Sequence, residues 1–87
     1  MRLDKFLKVS RLAKRRTEAK EALEAGRIEI GGRPVKPSHP VKVGDELLIR
    51  YASRDVRVRV LAVPDQTGPH IKPQSLYTIV DERRVQP

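Results

Sequence analysis

Arg16 and Lys20 stand four residues apart, the spacing that sets two side chains on one helix face, and together they could grip a phosphate. Advancing roughly 100° per residue, Ala19, Ala22 and Leu23 define the buried side, and Arg16 and Lys20 share one edge. Glu18, Glu21 and Glu24 fall toward the other side, so acids do not neutralise that edge. The same pattern also suits an ordinary solvated helix in which Lys20 and Glu24 pair, worth a few tenths of a kcal/mol. A second group of cations precedes it: Arg2, Lys5 and Lys8 recur on the outer side of a short helical segment, and Arg11, Lys14 and Arg15 fill the connection. Two helices and a loop would then present one basic surface. Asp4 lies apart on an edge of the first segment. It either orients a neighbouring Arg through a charge-assisted hydrogen bond or is a first-turn acid favoured by the helix dipole. Arg57 and Arg59 alternate on a strand and suit a solvated sheet face, with an extension of the basic surface as the alternative.

Other chemistries find little support. His39 and His70 lie in Pro-rich stretches without a paired nucleophile, and most carboxylates sit among Lys and Arg, so no acid–base pair or nucleophile emerges. Gly31-Gly32 is not a phosphate loop, because no Gly-Lys-Ser/Thr follows and the flanks alternate like strands. Cys is absent, which removes thiolate metal sites and disulfides, and no metal or other cofactor is expected. Aromatic content is 3%, with Phe6 a core candidate and Tyr51 and Tyr77 on strands, so no row of rings offers a stacking platform for single-stranded bases. Structured RNA, read through shape and phosphates, fits better.

The whole composition agrees. Nineteen Lys and Arg against eleven Asp and Glu give a net charge of +8, and counterion release makes a polyanion the natural partner. Eighty-seven residues suit one domain, residues 1–87, of modest stability. The opening Met1-Arg2-Leu3-Asp4-Lys5-Phe6 reads as neither a signal peptide nor a membrane span, and the absence of Cys suits a reducing compartment, so a cytoplasmic protein with no membrane contact is expected, and a monomer is assumed without a sequence feature that decides it.

The elements that must position these residues follow from hydrophobic period. Leu3, Phe6 and Leu7 recur at i, i+3, i+4 and predict a helix over 2–9. A second helix runs from Arg15 or Thr17 to Ala25, with Thr17 as N-cap, Glu18 and Glu21 near its positive end and Gly26 after its last turn. The period then drops to two. Arg27 to Ile30, the Gly31-Gly32 turn and Arg33 to Lys36 predict a hairpin, and Val43-Gly44-Asp45 is a turn before a strand over 46–51. Ala52 to Asp55 is a further turn, Val56 to Val60 a strand, Pro64 to Pro73 a break and Leu76 to Val80 a last strand, with 81–87 a frayed tail. Two short N-terminal helices packed on a small curved antiparallel sheet make the fold class α+β.

The ordered set Arg2-Leu3-Asp4, Lys14-Arg15-Arg16-Thr17-Glu18-Ala19-Lys20, Gly26-Arg27-Ile28, Gly31-Gly32, Pro37 and Val43-Gly44-Asp45 resembles the S4 RNA-binding domain. The likeness covers about the first fifty residues, leaving 51–80 as a C-terminal strand extension. Within that superfamily the whole chain looks like the compact RqcP-type factors of ribosome-associated quality control, relatives of the small heat-shock S4 proteins. Its Met1-to-Lys8 opening and its Leu76-Tyr77-Thr78-Ile79 segment carry that choice. It departs from the pattern in lacking the longer basic C-terminal extension of the heat-shock relatives. Arg15 also stands where many S4 domains have a small polar residue, and Gly31 where they have Asn.

The resemblance implies an S4-like fold and a non-catalytic role on the free large (50S) ribosomal subunit, in contact with 23S rRNA and peptidyl-tRNA. It also implies an RqcH-type partner that adds C-terminal alanine to stalled chains. By family pattern Arg2, Asp4 and Arg16 carry over as RNA-binding positions. With the basic positions above, the expected RNA-binding set is Arg2, Asp4, Lys5, Lys8, Arg11, Lys14, Arg15, Arg16, Lys20 and Arg27. Rescue of blocked subunits without tailing, general binding of structured RNA, an orphaned appendage of an RNA-modifying enzyme and docking to an acidic protein remain as alternatives.

Overall fold

The Pro-rich segment 37–41 reaches back to the chain's first residues and shapes the start of the fold. In the computed structural model, which describes residues 1–64, 72 and 75–85, helix α1 spans Leu3–Val9 and helix α2 spans Arg16–Glu24. Neither has a side-chain N-cap. At α1 the orphan amides find loop carbonyls instead, with Leu3 N–H donating to His39 O at 2.9 Å and Asp4 N–H to Pro37 O at 3.2 Å. At α2 the residue before the helix is Arg15, in extended conformation, so Thr17 is inside the first turn and does not cap it.

Gly26 ends α2 as its position suggests. Its φ of 74° is left-handed, its N–H donates to Leu23 O, and Arg27 N–H donates to Ala22 O. Those paired bonds are the Schellman arrangement, which a residue without Cβ adopts at least cost. α1 closes in a similar way, but with Arg11 at φ 61° where Gly would be expected.

Five strands follow: β1 (Ile28–Ile30), β2 (Arg33–Pro34), β3 (Glu46–Arg50), β4 (Arg54–Val60) and β5 (Tyr77–Arg84). They form one sheet in the order β2-β1-β3-β4-β5, every pairing antiparallel. Gly31 and Gly32, at φ 62° and 81°, make the two-residue turn joining Ile30 to Arg33, since both positions need positive φ. The returning strand is shorter than the expected 33–36, because Pro34 and Pro37 limit a backbone ladder.

The expected C-terminal tail fails as well. Residues 81–84 are not a frayed tail but the second half of β5, paired from Asp81↔Arg57 to Arg84↔Arg54 across a register shift at Arg57/Val58. Main-chain hydrogen bonds hold this edge strand, so its mostly polar, exposed side chains give no apolar period to read. The expected break over 64–73 and His70 lie largely outside the described residues.

Both helices cover one face of the sheet. Leu3, Phe6 and Leu7 of α1 and Ala19 and Leu23 of α2 pack with Ile28, Leu47, Ile49, Val56, Val58 and Val60 in one core. Tyr51 ties the interhelix connection to the sheet, its hydroxyl donating to Leu12 O at 2.7 Å. The α+β architecture expected from the sequence, two short N-terminal helices packed on an antiparallel sheet, is thus the one observed.

Candidate nucleic-acid interface

Asp4 is not an edge residue: it is only 2% exposed, buried under the meeting point of both helices. Its Oδ1 accepts the Lys5 N–H at 2.8 Å, which fixes the carboxylate against its own helix. Its remaining capacity is shared by two guanidiniums. Arg2 Nη2 approaches Oδ2 at 3.3 Å, and Arg16 reaches Oδ2 through Nε at 3.4 Å and Oδ1 through Nη2 at 3.5 Å. Hydrogen bonds of that length are weak, so attraction of charge holds the trio. Both Arg side chains are about half exposed, at 51% and 50%. Each therefore keeps N–H donors free for an outside anion while a buried charge holds its aim. Both alternatives for Asp4 describe its position: it is an acid in the first turn of α1, and its carboxylate also meets two neighbouring guanidiniums.

The other expected residues divide into two groups. Lys5, Lys8, Arg15 and Lys20 make no ion pair among the described residues, and all but the half-buried Lys5 are exposed. Lys20 therefore does not form the alternative pair with Glu24. Arg11, Lys14 and Arg27 instead line a cleft between the interhelix connection, α2 and the β3–β4 corner. Part of the expected basic set thus lines a cleft rather than standing beside Arg2 and Arg16 at Asp4. Arg16 and the cleft-lining Ala22 are six positions apart, about 120° from each other around α2, which puts Arg16 and the cleft on different flanks.

Sequence reasoning missed Arg50 and Arg54, which also line that cleft. Arg54 lies 5.7 Å from the Tyr51 ring centroid, within cation–π range, and pairs with Glu82 at 2.7 Å; Arg50 pairs with Glu29 at 3.0 Å. Their only sequence signal is that they flank the turn after Tyr51. Arg59 is held by Glu46 at 2.9 Å on the outer sheet face, where Arg57 also lies, so neither extends the helical basic surface. Among the described residues, no group of three or more acidic, His or Cys side chains could hold a metal. No described helix is long and apolar enough to cross a membrane.

Residues 1–47 match the family model for the S4 domain. Over 85 residues the chain is 49% identical to the RQC P-site tRNA stabilizing factor of Bacillus subtilis, covering 98% of each. It is 34% identical over 77 residues to heat shock protein 15 of Escherichia coli, covering 88% of this chain and 58% of that protein. The trimeric structure of Vibrio cholerae heat shock protein 15 superposes with a TM-score of 0.82 at 29% identity, covering 92% of this chain and 81% of that one. End-to-end identity to the Bacillus factor, on an S4 fold whose buried Asp4 aims two Arg side chains outward, places the assignment: the chain belongs to the S4-domain family and, within it, to the RQC P-site tRNA stabilizing factors.

Proposed function

We propose that this protein is a non-catalytic RNA-binding factor of ribosome-associated quality control that holds peptidyl-tRNA in the P site of a free large ribosomal subunit. The observation that carries the reading is the Asp4 pairing, which presents two half-exposed guanidiniums, Arg2 and Arg16, on one surface of a chain of net charge +8. Guanidiniums held in place lose little freedom when they meet phosphates, which suits a clamp better than a catalyst. The same surface would contact 23S rRNA, and the bound factor would act with an RqcH-type partner during C-terminal alanine tailing, as a cytoplasmic monomer. The names and full-length identity of the Bacillus and Listeria relatives support the tRNA role.

Sedimentation of the protein with ribosomal particles tests the reading. Co-migration with free large subunits, and little with translating ribosomes, is the expected result. Even distribution over all RNA would reduce the role to general RNA binding. The superposition on heat shock protein 15 favours one second reading, rescue of blocked large subunits without tailing. Persistence of alanine tails on stalled chains after deletion of the gene would favour that one.

A further inference from the structure

The cleft on the far flank of α2 combines an apolar floor with an uncommitted cationic rim. Its volume is about 530 Å³, inside the range of roughly 300–1,000 Å³ typical of small-molecule sites. Leu12, Ala13, Ala22 and Tyr51 supply apolar lining, and Arg11, Lys14 and Arg27 stand around it with no ion pair among the described residues. Glu18 is the one carboxylate in the lining. Arg11 holds a left-handed backbone to stand there, a conformation that disfavours every residue with a Cβ. Apolar walls beneath several cations complement a flat, weakly polar ring joined to a phosphate.

We infer that this cleft receives one unpaired nucleotide of the bound RNA, its base against the Leu12, Ala13 and Ala22 floor and its phosphates on Arg11, Lys14 and Arg27. The inference rests on the RNA-binding reading above and adds a second contact, separate from the Arg2–Asp4–Arg16 surface. Because the floor is aliphatic, the site takes an extruded base without reading its identity. A regular duplex has no base to offer it. The cleft therefore selects a bulge or a loop and leaves phosphate contacts elsewhere to hold the flanking helix.

Fluorescence anisotropy with the full chain at low salt tests this, using a short RNA hairpin whose loop is replaced by a non-nucleotide ethylene glycol linker, in three forms: fully paired, with one bulged uridine, and with an abasic bulge. The bulged hairpin should bind about tenfold more tightly than the paired one, the scale of removing roughly 50–60 Å² of apolar surface from water. The abasic bulge should bind like the paired form, which separates a seated base from mere flexibility at the bulge. Ala22→Leu, which fills the floor, and Arg27→Gln, which removes a rim cation without touching the core, should each abolish or reduce the preference. Ala22→Leu should also leave the paired affinity unchanged. Arg16→Ala should weaken all three hairpins alike. Equal binding of paired and bulged hairpins, or a preference kept by the abasic bulge or by both cleft variants, overturns the inference alone. Failure of the wild type to bind any hairpin overturns the RNA-binding reading and the inference with it.

Discussion

Asp4 and Arg16 are twelve residues apart, and the guanidinium of Arg16 meets the buried carboxylate of Asp4 at two points, 3.4 and 3.5 Å. This contact joins α1 to α2 across their start, just where neither helix has a side-chain cap. It makes Arg16 both a packing element and an exposed cation, and the consequences of its replacement divide along that line.

Arg16→Ala should reduce affinity for the large subunit by about ten- to a hundredfold, the effect of losing one charge-assisted phosphate contact worth roughly 1.5–3 kcal/mol. It should also lower stability by about 1 kcal/mol, because the buried Asp4 loses a partner while Arg2 and the Lys5 amide remain. Sedimentation and a melting curve measure the two effects. Glu21→Ala, on an exposed position away from the Arg16 edge, should leave binding equal or slightly stronger. Release by Glu21→Ala with full binding by Arg16→Ala would put the RNA on the wrong side of α2.

Asp4→Asn separates positioning from charge. The substitution nearly preserves shape and makes the protein more basic by one unit, so simple attraction to phosphate would strengthen binding. Loss of the charge that aims Arg2 and Arg16 should instead weaken it several-fold and lower stability by about 1–2 kcal/mol. Tighter binding in a filter assay would refute the positioning role.

Arg11→Gly should raise stability while impairing function. At φ 61° the Arg backbone is strained, and Gly relieves that strain, a gain of about 1 kcal/mol offset in part by the freer unfolded chain. The rim of the cleft loses a cation at the same time. A higher melting temperature together with weaker RNA binding is the expected pair of results, and lower stability would count against strain at this position.

Tyr51→Phe should cost about 1 kcal/mol through loss of its 2.7 Å bond to Leu12 O, which ties the connection to β3. Burial, then the neighbouring Tyr77, push the Tyr51 hydroxyl above its ordinary 10.0, and Arg54 opposes them. The folded state therefore holds this proton to higher pH than the unfolded state does. Its contribution is complete below the unfolded value and is lost as pH rises from there through the folded value. Melting temperature above pH 10 should fall less steeply in the Phe variant than in the wild type.

Binding to the large subunit should weaken with salt, log affinity falling against log salt by roughly 0.7–0.9 for each phosphate neutralised. Arg16→Ala should flatten that slope by about one such unit. A salt-independent affinity would remove the electrostatic basis of the proposed interface.

Elements whose signal is local were legible in the residues themselves. Leu3, Phe6 and Leu7 mark α1, Ala19 and Leu23 with Gly26 mark the body and end of α2, and Gly31-Gly32 marks the hairpin, because each rests on a period or on φ angles set by neighbours. The exposed Arg16 edge was legible for the same reason. Asp4 was not, since its burial depends on α2 and on the 37–41 segment arriving from elsewhere in the chain. Nor were residues 81–84 legible as strand, because β4 supplies their hydrogen bonds and an exposed edge strand needs no apolar alternation. The division of the basic residues between the Asp4 surface and the cleft was decided last of all. Charge and spacing state how many cations a chain carries, but which flank of α2 each one faces depends on how the connection folds against Tyr51, a contact 39 residues long in sequence.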